Sequence, residues 1–180
     1  GGKVVLVDVD KDNLLIDEKS LLKKINNKTK AIIPVHTSGR GSNIKEILKI
    51  AKNKKLYVIE DAAEAFMSRS GNKYLGTFGD AGCISFAPNK LITTGQGGLV
   101  ITNNKSIYKK LLRLKDQGRI GKTTGGEDNY ISVGYNFKYT NLQASLGLAQ
   151  LKNLRERIKI LKNHYKFYKK NLLENKKFKL

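Results

Sequence analysis

Long apolar runs are missing from this chain, and no window approaches the roughly 18 uninterrupted apolar residues of a membrane-crossing helix. The opening residues also lack the basic, apolar and small-residue order of a secretory signal. Cysteine is nearly absent: Cys83 is alone, which excludes an intramolecular disulfide, and its place in the apolar stretch GCISF suits a buried, inert thiol. Methionine does not open the chain; Gly1-Gly2 leads at once into the apolar VVLVDVD, as expected of an N-terminus that has been cut. Acidic residues are scarce, 15 against 35 Lys and Arg, giving a formal charge of +20. Such a balance raises nucleic acid or an anionic membrane as a partner. The lysines, however, are spread over every expected helix (Lys23, Lys45, Lys109, Lys159) and do not gather on one face with interleaved aromatics. The joint abundance of Lys, Asn and Ile matches the composition of proteins from AT-rich genomes. A soluble, cytoplasmic protein with no nucleic-acid, membrane or metal partner is expected.

What is present is an alternation. At 180 residues the chain can form one domain with a sizeable core. Val4 to Val9 is a short apolar run closed by acidic residues that reads as a strand, Asp17 to Ile25 has helical spacing, and Ala31 to Val35 reads as a continuous apolar strand. Asn43 is placed to cap a helix over Ile44 to Lys52, whose Ile44, Ile47, Leu48 and Ala51 share one face. Leu56 to Ile59 gives the next strand. Apolar strands separated by helices of about ten residues argue an α/β fold, a mostly parallel sheet with helices on both faces. Past Gly76 the pattern changes. Cys83 to Phe86 and Leu99 to Thr102 are strands whose connection is too short for a crossover helix, so the second is expected to run antiparallel. Asn103 or Asn104 can cap a helix over Ser106 to Lys115. Asp116 to Tyr135 is a polar, glycine-rich connection without periodicity. One long amphipathic helix or two in series spans Asn141 to Leu173, and KFKL at the end begins like a strand.

The chemistry-bearing residues lie at strand ends. The run Leu56 to Ile59 leads into Glu60, Asp61 and Glu64, and Lys90 sits between a strand and a turn rich in glycine (Gly95, Gly97, Gly98). These glycines suit a tight turn better than direct phosphate binding. An aspartate and a lysine brought together are what pyridoxal phosphate chemistry needs: an amine to hold the cofactor aldehyde and a carboxylate to keep the pyridine nitrogen protonated.

The motifs EDAAEA, GTFGDAGCISF, NKLITTGQGG and VGYNFKYTNLQASLGLAQL follow one another along the chain. In this order they resemble the DegT/DnrJ/EryC1/StrS family of sugar aminotransferases, from about Val4 to about Arg157. The resemblance implies the large domain of a fold-type-I pyridoxal phosphate enzyme: residues 1–140 its central part, residues 141–180 a long helix leading toward a small domain. It implies that Lys90 is the Schiff-base lysine, that Asp61 pairs with the pyridinium nitrogen, and that Ser85 hydrogen-bonds the cofactor phosphate. Glu64 stands where many members have glutamine, beside the cofactor's 3-oxygen. Asn136 matches an asparagine that reaches the phosphate of the neighbouring subunit, which implies a homodimer with shared active sites. Lys138, where arginine is frequent, is a candidate for substrate phosphates. His36 ends a strand near cofactor height or is a structural histidine. The implied reaction moves an amino group, from L-glutamate as donor, to a nucleotide-linked keto sugar for amino-sugar and surface polysaccharide assembly. A pyridoxamine-dependent sugar dehydratase has histidine in place of the lysine, so Lys90 argues against it. A noncatalytic or truncated relative is the remaining alternative.

Overall fold

A computed structural model describes residues 1–119 and 130–172. Two compact units divide the chain, Gly1–Ser85 with Gly97–Lys138 and Phe86–Gln96 with Tyr139–Leu180, and each is described by itself. The expected strand at KFKL and the middle of the Asp116 to Tyr135 connection lie outside the described residues. Among those described, no helix is long and apolar enough to cross a membrane.

The first unit is built on a four-stranded sheet of order β1 (Ala31–Ile32), β2 (Tyr57–Asp61), β5 (Ala81–Ser85) and β6 (Gly98–Ile101). β1, β2 and β5 are parallel and β6 is antiparallel to β5, as the short connection requires. Between β2 and β5 lies a hairpin of β3 (Arg69–Ser70) and β4 (Lys73–Tyr74), which has no counterpart in the sequence reading.

α1 (Glu18–Lys24) starts where the Asp17 carboxylate accepts from the Ser20 N–H, with Glu18 in its first turn and Lys23 and Lys24 in its last, matching the helix dipole. α2 (Ile44–Lys54) buries Ile44, Ile47, Ile50 and Ala51 and stops at Lys55, which adopts a left-handed conformation. These residues, with Leu21, Ile32 and Val58, form the core on one face of the sheet. Each large aliphatic side chain so buried contributes roughly 1.5–3 kcal/mol.

Three expectations are corrected. Asn43 precedes α2 but its side chain caps nothing, because the backbone there turns with Ile44 N–H bonded to the Ser42 carbonyl at 2.6 Å. Val4 to Val9 builds no ladder with the described residues: its one strand bridge is Val9–Ile16, where the turn at Asp10 folds the chain back on itself. Ala31 to Val35 is a strand only through Ile32, because Pro34 has no N–H to offer, and pairing resumes as a single Val35–Asp61 bridge.

α3 (Lys105–Leu114) is capped by Asn104, whose side chain accepts from the Ser106 and Ile107 N–H groups. Beyond it, residues 114–117 pair with 135–137 through Tyr135 N–H to Leu114, Gln117 N–H to Tyr135 and Phe137 N–H to Lys115. In the second unit, α4 (Asn141–Lys152) begins with a capping box between Thr140 and Gln143 and is followed by α5 (Leu154–Leu172). Asn153 breaks the run into two helices in series.

Candidate functional site

Side chains alternate across a strand, and on β2 this alternation separates two neighbouring carboxylates. Val58 and Glu60 are buried on the helix-covered face, whereas Tyr57, Ile59 and Asp61 point the other way. Asp61 is in register with Cys83, and Ser85 lies two residues further along β5, so Asp61, Cys83 and Ser85 share one half-open face. Asp61 and Ser85 end their strands there, at the carboxyl edge where parallel sheets bind ligands. The Cys83 thiol is pushed up by burial and by the charge of Asp61, which keeps it protonated and unreactive. Asp61 is fixed by main-chain bonds, its N–H to the Pro34 carbonyl and its carbonyl from the His36 N–H, both 2.9 Å, and its Oδ1 accepts from the Ala63 N–H at 3.1 Å.

On the opposite face Glu60 is fully buried and accepts four hydrogen bonds. Oε2 takes them from His36 Nε2 at 3.0 Å and Gly76 N–H at 2.8 Å; Oε1 takes them from Phe78 N–H at 2.5 Å and Gly79 N–H at 2.7 Å. Burial raises the Glu60 carboxyl, but His36 and the N–H groups of Gly79, Gly76 and Phe78 outweigh it and hold the group below its ordinary range. The Ser42 N–H donates to His36 Nδ1 at 3.1 Å, so the proton of the ring sits on Nε2 and is given to Glu60. His36 is therefore a structural histidine.

The network also explains the GTFGDAG motif. A Cβ on Gly82 would lie 1.9 Å from the Gly76 carbonyl oxygen, so only glycine lets the stapled turn lie against β5. The sequence reading placed Glu60 beside Asp61 but gave it no role. The continuous apolar run Leu56 to Ile59 hides the phase of the strand, and only the structure puts Glu60 in step with buried Val58, where a carboxylate must find buried donors.

Glu64 is exposed and its Oε2 accepts from the Ser38 N–H at 2.8 Å. Ser38 holds φ 53, an uncommon value for a residue with a side chain, in the turn Thr37–Gly39. Asn136 forms a single antiparallel bridge with Asp116 and is exposed; its chain neighbours Tyr135 and Phe137 stack their rings on each other. Lys138 is engaged by Asp116, its Nζ 2.7 Å from Oδ1.

Lys90 belongs to the second unit. It is half-buried at the end of a turn in which its N–H donates to the Ala87 carbonyl at 3.1 Å. Gly95 and Gly97 carry φ of 80° and 121°, the tight-turn role expected of them. Asp61, Ser85 and Glu64 thus lie in the first unit with Asn136, and Lys90 follows Ser85 by five positions in the chain.

A sequence model described as the DegT/DnrJ/EryC1/StrS aminotransferase family matches residues 1–180. GDP-perosamine synthase of Escherichia coli O157:H7 is 41% identical over 172 residues, covering 96% of this chain and 46% of that protein. Among solved structures, Helicobacter pylori PseC, an aminotransferase involved in the biosynthesis of pseudoaminic acid, aligns with a TM-score of 0.77 and 34% identity over 82% of this chain and 40% of its own. The E. coli GDP-4-keto-6-deoxy-D-mannose-3-dehydratase, solved with bound hydrated PLP, aligns with a TM-score of 0.83 and 28% identity over 94% of this chain and 47% of its own. The chain spans about half the length of the curated relatives it matches.

Proposed function

The chain belongs to the DegT/DnrJ/EryC1/StrS aminotransferase family, and on that premise we propose that the protein moves an amino group from L-glutamate to a nucleotide-linked keto sugar, with pyridoxal phosphate as cofactor. The observation that carries the reading is the pairing of a carboxylate and a hydroxyl, Asp61 and Ser85, on the half-open face at the carboxyl ends of neighbouring strands. That donor set fits the cofactor's two polar ends, a basic ring nitrogen and a phosphate, and the NKLITTGQGG motif supplies the amine at Lys90. When bound, pyridoxal phosphate supplies an aldehyde for covalent attachment and a protonated ring that draws off an electron pair.

The residues then divide the work. Asp61 holds the proton on the ring nitrogen. Ser85 donates its hydroxyl proton to a phosphate oxygen. Glu64, whose Oε2 accepts from the Ser38 N–H, would lie beside the ring hydroxyl. Lys90 would attach the cofactor through its amine, and when released that amine would be the base placed to take up and return a proton. In the same reading residues 1–140 are the central part of the cofactor-binding large domain, and residues 141–180 lead toward a small domain. Asn136 reaches the phosphate of the second subunit in a homodimer. The protein acts in the cytoplasm, in amino-sugar synthesis for surface polysaccharide. GDP-perosamine synthase, to which the chain is similar, supports a GDP-linked sugar as the first substrate to try.

The test is to add pyridoxal phosphate to the protein as encoded, fix the adduct with borohydride and map the labelled peptide. Label on Lys90, lost in Lys90→Ala, and amine transfer from glutamate to a keto-sugar nucleotide are expected. A folded protein labelled only on scattered surface lysines would overturn the aminotransferase reading in favour of a noncatalytic relative.

A further inference from the structure

Within the second unit, Lys90 lies on a loop that is closed at its base. The Phe86 carbonyl accepts from both the Thr94 N–H at 3.0 Å and the Thr93 hydroxyl at 2.9 Å, so the chain returns to its start eight residues on. Pro88 and Asn89, just before Lys90, are exposed, whereas Ile92 and Thr94 are buried.

The return arm is held by helix side chains on main-chain atoms. Gln150 of α4 accepts from the Thr93 N–H through Oε1 at 3.1 Å and donates through Nε2 to the Thr93 carbonyl at 3.1 Å. One amide thus satisfies both polar groups of a residue that has no strand beside it. Arg157 of α5 donates through Nη1 to the Leu91 carbonyl at 3.2 Å. Thr94 packs where α4 has no side chain, since a Cβ on Gly147 would lie 2.9 Å from its Cγ2, and the Tyr139 hydroxyl is 3.2 Å from its Oγ1.

We infer that Gln150, assisted by Arg157, is a positioning residue for Lys90. The clamp acts on main-chain atoms of residues 91 and 93, one and three positions past the lysine, and so fixes the direction from which its amine works. An attacking group displaced by about 1 Å can lose on the order of a hundredfold in rate, so a loop carrying such a group gains from a rigid base. The inference rests on Lys90 being the reacting amine, but the clamp itself is a property of the chain without cofactor.

Two readouts test it in the protein as encoded. Hydrogen exchange at the Thr93 amide, without cofactor, reports the clamp; the rate of borohydride-fixed pyridoxal phosphate labelling on Lys90 reports the positioning. Gln150→Met, similar in length but unable to hydrogen-bond, should speed Thr93 exchange and slow labelling of Lys90 on the order of tenfold, two hydrogen bonds being lost. Gln150→Asn, which keeps the amide on a shorter stem, is the gentler variant if Gln150→Met does not fold, and the same two changes are expected. Ile47→Val, in the core of the first unit, serves as a destabilised control whose labelling rate should stay at the wild-type value. Wild-type protein that labels Lys90, with Gln150 variants that label it equally fast, would overturn the positioning role and leave the Lys90 reading intact. Wild-type protein that does not label Lys90 would overturn that reading itself, and the positioning role with it.

Discussion

Glu60 and Asp61 are chain neighbours with nearly the same side-chain chemistry, and the pleat of β2 sends them to opposite faces of one sheet. On the face that carries the core, Glu60 is fully buried and accepts four hydrogen bonds, three of them from the main chain of the turn before β5. In front, Asp61 keeps partial exposure at the strand end, beside a thiol it helps to hold protonated and in step with Ser85. The back face uses a carboxylate to hold the fold, and the front face presents one at the strand end, where we propose that the cofactor is held. The chemistry of a residue type did not decide the role; the phase of the strand did.

The comparison can be broken from the back first. Glu60→Ala leaves three main-chain N–H groups and the His36 ring N–H without an acceptor, and breaking such a buried charged network costs about 3 kcal/mol. Denaturant unfolding should show that loss, with cofactor labelling of whatever remains folded still directed to Lys90. A smaller effect appears with pH. The Glu60 carboxyl sits below its ordinary 4.5, so the folded state favours the ionised form. Its contribution is fully present above that value and is lost as pH falls from there through the lower folded value. Wild-type stability should therefore drop more steeply on acidification below 4.5 than that of Glu60→Gln, measured by denaturation midpoints across the acid range. The smallest effect comes from the front. Ser85→Ala removes one hydroxyl and should weaken pyridoxal phosphate binding by about tenfold, with the melting temperature nearly unchanged.

The same phase rule explains what was legible in the sequence. α1 and α2 were readable because Asp17 to Ile25 has helical spacing and Ile44, Ile47, Leu48 and Ala51 recur on one face. The antiparallel β6 was readable because residues 86–97 are too few for a crossover. The candidate site residues were named through their motifs, yet the burial of Glu60 behind Asp61 was not legible, because a five-residue strand does not declare which of its faces meets a helix. Val4 to Val9 looked like a strand by composition, but a strand is made by its neighbour, and among the described residues these form a bridge with one only at Val9. The Gln150 clamp joins residues 57 positions apart and leaves no local pattern at all.

The central claim is that the two faces of β2 carry separable roles, and the most direct measurement pairs Asp61→Asn with Glu60→Gln in one experiment. Thermal unfolding is recorded without cofactor, and the absorbance and Lys90 labelling are recorded with pyridoxal phosphate. Asp61→Asn should melt close to wild type, bind and label more weakly, and lose amine transfer by on the order of a hundredfold or more. Glu60→Gln should melt well below wild type and, where folded, keep its labelling at Lys90. The reverse pattern, with Asp61→Asn unfolding the protein while its cofactor chemistry persists, would contradict the account.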